Sequence, residues 1–187
     1  MNKLILITGD LAAGKSTFSK FLSQRYKITC YNKDDIKEIL GDYFGFTNRE
    51  ENLKLSKCTF AIFKNITLKN IVSKNDLMLE SNFRDYEMEY LNNLALDNNY
   101  KIITIVINAD IKVLHKRFMN RILNENRHPV HKAVDFSNYS DFEKQIISDR
   151  NRNYKGEVIR LDSSNFEDLY NDNTIKEIDK YIIDKGV

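Results

Sequence analysis

Leu4 to Ile7 is an unbroken apolar run, too short for a buried helix and rich in Ile and Leu. It predicts a central strand of a parallel sheet that is covered on both faces. Similar runs predict strands at Ile28 to Tyr31, Leu77 to Leu79, Ile102 to Ile107 and Val158 to Leu161. Between them the apolar period lengthens to three and four residues, the spacing of a helix face. Ser16 to Tyr26 carries Phe18, Phe21 and Leu22 in that rhythm. A long amphipathic helix begins near Asn48 and runs through Phe60, Phe63 and Ile66 to Lys69–Val72, and Asp110 to Leu123 repeats the pattern with Leu114, Phe118, Met119 and Ile122. Strands alternating with helices predict right-handed crossovers and a three-layer α/β fold. With no repeat, low-complexity tract or linker, residues 1–187 are expected to form a single domain with a small mobile insertion.

Composition narrows the function classes. The 187 residues are 42% hydrophobic, enough for one sizeable core. Lys and Arg number 29 against 27 Asp and Glu, a net charge of +2 that is too balanced for gripping nucleic acid by bulk electrostatics. Cys30 and Cys58 have no CxxC spacing, so neither a disulfide framework nor a zinc site is expected. No apolar run approaches the roughly 20 residues that span a bilayer. Met1 to Thr8 lacks the long apolar region of a signal peptide, and the expectation is a cytoplasmic protein. The many Asn and Lys residues read as compositional bias.

Gly9-Asp10-Leu11-Ala12-Ala13-Gly14-Lys15-Ser16 fits G-x-x-x-x-G-K-[ST], directly after an apolar strand and at the start of a helix. Gly9 and Gly14 permit backbone conformations that a Cβ would block, so N–H groups along Ala12, Ala13, Gly14, Lys15, Ser16 and Thr17 can converge on a phosphate at a positive helix end. In this reading the ligand is ATP. Lys15 reaches the β and γ phosphates, and Ser16 places its hydroxyl on Mg²⁺.

Phosphoryl transfer to a hydroxyl needs a carboxylate near the attacking oxygen and positive charge around the migrating group. Asn32-Lys33-Asp34-Asp35-Ile36-Lys37 follows the second strand, where open α/β sheets hold their ligands. Either Asp34 or Asp35 can serve as base; either can equally cap a helix through Ile36 to Leu40. Glu80-Ser81-Asn82-Phe83-Arg84 closes the third strand, with Glu80 as candidate holder of a Mg²⁺-bound water and Asn82 and Arg84 as acceptor contacts; a polar strand end and a cap for the helix after Asp85 is the plainer alternative. Lys112 to Lys132 holds Lys112, Lys116, Arg117, Arg121, Arg127 and Lys132 against Glu125 alone. Arg117 and Arg121 share a helix face, and Pro129 stops the helix from continuing. This stretch, about 117–135, reads either as a solvated face and loop or as a lid whose arginines close over the phosphates. His115, His128 and His131 lack companion ligands for a metal site and read as loop hydrogen-bonding groups. Tyr86, Tyr90 and Leu94 read as helix packing. Tyr43, Phe44 and Phe46, in a turn from Gly41 to Gly45, read as core aromatics or as a wall of the acceptor pocket.

These segments together resemble the small P-loop kinases of the adenylate-kinase-like and polynucleotide-kinase-like group, which includes zeta-toxin and chloramphenicol phosphotransferase enzymes. The resemblance covers nearly the whole chain. Tyr31 to Lys37 is similar to the Asn-Arg-Asp-Asp-x-Arg segment of polynucleotide 5′-kinases, which implies Asp34 as base and Lys37 as acceptor contact. Glu80-Ser81-Asn82 is similar to the group's Asp-Thr-Asn, with Glu in place of Asp, and Arg117 and Arg121 match lid arginines. Arg127 to His131 is similar to the lid of ATP-binding relatives. The group implies a five-stranded parallel sheet in the order 2-3-1-4-5 with a small helical lid, and an adenine pocket near Asp162 to Asn165. With Lys37 in place of Arg, the planar grip on a nucleic-acid phosphate is lost. The leading expectation is therefore an ATP- and Mg²⁺-dependent phosphotransferase acting on a hydroxyl of a small molecule or nucleotide. A polynucleotide 5′-hydroxyl kinase and an ATP-binding switch without an acceptor are the alternatives.

Overall fold

The computed structural model describes residues 1–124, 128–131 and 136–183. Five strands, β1 (Lys3–Gly9), β2 (Cys30–Asn32), β3 (Leu77–Glu80), β4 (Lys101–Asn108) and β5 (Glu157–Asp162), form one parallel sheet in the order β2-β3-β1-β4-β5. The fold is the three-layer α/β arrangement with the strand order that the resemblance implied. Seven α-helices are present among the described residues: α1 (Lys15–Tyr26), α2 (Lys33–Phe44), α3 (Arg49–Val72), α4 (Asp85–Asp97), α5 (Ile111–Asn124), α6 (Tyr139–Arg150) and α7 (Asp172–Ile182). None is long and apolar enough to cross a membrane.

β1 is central and buried along its length, which is why its sequence is apolar without alternation. Its side chains divide by parity. Ile5 and Ile7 enter one core with Phe18 and Leu22 of α1, Phe118 of α5, Phe142 of α6 and Ile178 of α7. Leu4 and Leu6 enter the other with Phe63 of α3 and Met88 and Leu91 of α4. Full burial of each such side chain stabilises the fold by about 1.5–3 kcal/mol.

Asparagines set several helix starts. The Asn32 side chain accepts from the Asp34 N–H at 2.7 Å, Asn48 from Glu51 at 3.0 Å, Asn138 from Ser140 at 2.9 Å and Asn171 from Thr174 at 2.8 Å. Each cap satisfies a donor that has no partner within the helix, a contribution of about 1 kcal/mol. The abundance of Asn thus has a structural use that compositional bias alone does not describe.

Three expectations are corrected. β2 begins two residues later than the apolar run Ile28 to Tyr31: pairing with β3 runs from Cys30 to Asn32, and Ile28 is buried in the core with Ile5 and Ile7. The turn from Gly41 to Gly45 does not exist as such: α2 continues through buried Gly41 to Phe44 and ends at Gly45, whose φ of 65° suits a residue without Cβ. Tyr43 and Phe44 consequently project into solvent, 86% and 77% exposed, and neither packs in the core.

Candidate active site

The phosphate loop leaves β1 at Gly9, whose φ is 126°. A Cβ here would stand 2.0 Å from the Ile107 carbonyl oxygen, so the loop can begin this close to β4 only with glycine. Ala12 and Gly14 also have positive φ, 65° and 84°, and Gly14 is the N-cap of α1. The N–H groups of Lys15, Ser16 and Thr17 open the first helical turn and have no intrahelical acceptor. The result is a cradle of donors at a helix N-terminus.

Lys15 donates from Nζ to the carbonyl oxygens of Asp10 at 2.6 Å and Gly9 at 3.2 Å. Burial lowers its pKa, with Glu80, Asp34 and Asp10 opposing that shift. Ser16 Oγ donates to Glu80 Oε2 at 3.0 Å and accepts from Asn32 Nδ2 at 3.1 Å. Asn32 Nδ2 also bonds Glu80 Oε2, which closes a triangle across the ends of β2, β3 and α1. Burial pushes the Glu80 carboxyl up to about 7, against the pull of Lys15. A divalent cation beside it would favour the ionised form, and a serine hydroxyl with a carboxylate is an oxygen donor set suited to Mg²⁺. The cradle and this pair fit a magnesium nucleotide.

A cleft of about 440 Å³ opens over these groups. Ala12, Ala13, Gly14, Lys15, Ser16, Thr17, Asp34, Lys37, Glu80, Asn82, Arg84 and Arg121 all line it, although they come from four separate stretches of the sequence. Asp35 is exposed on α2 and is not among the lining residues. Lys37 donates to Asn52 Oδ1 at 2.6 Å, and burial lowers its pKa. Arg117 stands elsewhere: its guanidinium lies 3.5 Å from the ring centre of Phe166 and donates to the Ser164 carbonyl at 3.1 Å. Phe166 in turn lies against Gly14, where a Cβ would meet its ring at 2.6 Å. Arg117 therefore borders the 162–166 loop, the region that the resemblance associates with adenine, while Arg121 one turn on faces the cleft. The expected lid begins inside α5. Arg127 lies outside the described residues.

Residues 128–131 fold back onto α2. His128 Nε2 is 2.9 Å from Asp42, His131 Nε2 is 2.8 Å from Glu38, and Val130 is buried with its carbonyl accepting from Asn52 Nδ2 at 2.9 Å. These histidines hydrogen-bond a helix, in keeping with the reading of them as loop hydrogen-bonding groups. No group of three or more metal-binding side chains occurs among the described residues.

Sequence reasoning missed the contribution of α6. Its Gln145 and Asp149 line the cleft. Arg150 holds Asp10, which is 2% exposed, through a 2.6 Å Nη2 bond, and also donates to the Ala109 carbonyl at 2.5 Å. The buried carboxylate in the phosphate loop is thus tied to β4 and α6. Asp149 and Arg150 end α6 and Arg152 follows it, a charged run that only the position of Asp10 makes meaningful.

No protein-family model matches the chain, and no curated protein is significantly similar to it. Solved structures are similar. A provisionally assigned kinase from Chloroflexus aurantiacus is 26% identical, with a TM-score of 0.83 over 98% of this chain and 99% of that one. Shikimate kinase from Bacteroides thetaiotaomicron is 16% identical, with a TM-score of 0.60 over 95% and 97% of the two chains. A gluconokinase from Sinorhizobium meliloti is 13% identical, with a TM-score of 0.55 over 90% and 87%. In sheet order and overall fold the chain is similar to these kinase structures.

Proposed function

We propose that this protein is an ATP- and Mg²⁺-dependent phosphotransferase that moves the γ-phosphoryl group to a hydroxyl of a small molecule. The observation that carries the reading is the convergence of Lys15, Ser16, Glu80, Asp34 and Arg121 on one cleft. The kinase descriptions of the structural neighbours support it.

ATP supplies the phosphoryl group, and Mg²⁺ neutralises charge on its phosphates. The loop from Gly9 to Thr17 holds the phosphates, and Ser16 with Glu80 holds the metal. Lys15 moves from the loop carbonyls to the phosphate oxygens. Asp34, at the cleft edge of α2, accepts the proton from the attacking hydroxyl. Arg121 contributes fixed positive charge where negative charge develops. Arg117 flanks the nucleoside beside Phe166, and Lys37, Asn82 and Arg84 contact the acceptor. Asp35 shapes the start of α2 and the local field without touching the acceptor.

Single-turnover transfer of the γ-phosphoryl group from labelled ATP tests the base assignment. Asp34→Ala is expected to slow transfer by about 10²-fold or more, and Asp35→Ala by less than about threefold. Equal, near-parent rates in both variants would remove Asp34 from the reaction.

A further inference from the structure

The acceptor half of the cleft is more basic than its proton-transfer role requires. Lys37 of α2, Arg49 at the start of α3 and Arg84 at the start of α4 line it, and none is in an ion pair with a carboxylate among the described residues. The other charged groups there are mostly engaged: Lys33 pairs with buried Glu87 at 2.6 Å, and Asp149 pairs with Arg152. Lys37 is half-buried, bonded only to neutral oxygens of Asn52 and Val130. Lys33 and Arg84 both lie near enough to disfavour its charge, and only Asp34 among its close neighbours favours it. Like charges held together at a partly desolvated site are unfavourable until an anion joins them.

A second observation points to the same ligand. Asn82 lines this cleft, and its Oδ1 is buried without a hydrogen-bond donor. An unsatisfied buried acceptor is unfavourable, and a ligand hydroxyl that reaches it would relieve the cost. The pocket thus offers cations for an anionic group and a carbonyl for a hydroxyl.

We infer that the acceptor is a small polyhydroxylated anion, a carboxylate or a phosphate monoester, whose anionic group is held by Arg49, Arg84 and Lys37 while Asn82 orients a hydroxyl. This rests on the phosphotransferase reading and names the substrate class for it. Planar guanidinium groups match carboxylate and phosphate oxygens two at a time, so two arginines select for such a group over a neutral polyol.

The test uses acceptors matched except at one terminus, which is a hydroxymethyl, a carboxylate or a phosphate ester: glycerol, glycerate and glycerol phosphate, then glucitol, gluconate and glucitol phosphate. Phosphorylated product is measured with Mg²⁺ and ATP, and binding of each compound to the ADP-loaded protein is measured by calorimetry. Within a set, the preferred anion is expected to exceed the neutral compound at least tenfold in kcat/KM and in affinity. R84Q and R49Q should raise its KM at least tenfold with kcat changed less than threefold, and R84K should recover part of the loss. Preference for carboxylate or for phosphate names the anion. Equal or better use of the neutral compound would overturn the inference while leaving the kinase reading standing. If no compound is phosphorylated, the kinase reading fails for these acceptors and calorimetry decides: tenfold tighter anion binding, lost in R84Q, sustains the anion site, and equal or undetectable binding overturns it.

Discussion

At Gly9 the limiting contact is with backbone, not with a side chain that can move. Gly9→Ala would bring a Cβ to 2.0 Å from the Ile107 oxygen at a φ of 126°, and a loss of about 3 kcal/mol or more is expected in denaturant unfolding. Gly14→Ala meets the movable ring of Phe166 and should cost less stability but displace the Arg117 stack. The two cysteines differ by environment. Burial raises the Cys30 thiol to about 11, so at pH 8 its thiolate fraction falls about a hundredfold below that of an ordinary thiol. Iodoacetamide followed by peptide mass analysis should label exposed Cys58 first, with Cys30 gaining reactivity only as pH rises toward 11. Ser16→Ala should weaken binding of magnesium ADP about tenfold and leave metal-free ADP nearly unaffected, the outcome expected of a hydroxyl proposed to serve the metal. The loop residues were legible because their motif fixes both type and spacing. Asp34 and Asp35 were not separable, since adjacent positions at a helix start point in directions that local sequence does not set; of the two, Asp34 lines the cleft.

The strands were the most readable elements, and the reason is burial on both faces: β1 and β4 have no solvent side that would interrupt the apolar run. Helices α6 and α7 went unread. α6 buries only Phe142 and Ile146, too few positions to establish a period, whereas α7 does show Ile175, Ile178 and Ile182 behind its Asn171 cap. The end of α2 was misplaced because glycine at position 41 suggests a turn. Here it admits the 128–131 segment instead: a Cβ on Gly41 would stand 2.4 Å from Val130 Cγ1 and 3.2 Å from His128. Gly41→Ala is therefore expected to lift that segment from α2, detectable as faster amide exchange at Val130 and a weaker acceptor KM. Arg150 carries a different consequence. Its replacement by Met strands the Asp10 carboxylate in the core, and a loss of about 2–4 kcal/mol is expected, with D10N/R150M recovering part of it.

For the whole molecule, the alternation of strands and helices already implied the three-layer fold, and the resemblance supplied the strand order. What the sequence could not supply was the meeting of distant segments: the basic pocket built from α2, α3 and the start of α4, and the α6 brace on the phosphate loop. Such contacts arise from how packed layers align, not from any local pattern. The central claim is that this arrangement transfers phosphate from ATP to an acceptor instead of merely binding nucleotide. It is tested most directly by Mg²⁺-dependent ADP formation in wild type and Lys15→Ala across a panel of nucleosides, sugars, hydroxy acids, sugar phosphates and 5′-hydroxyl oligonucleotides. Stimulation by a small acceptor, reduced about 10²-fold or more in Lys15→Ala, is expected. Tight ATP binding without stimulation by any acceptor would contradict it and favour a nucleotide-dependent switch.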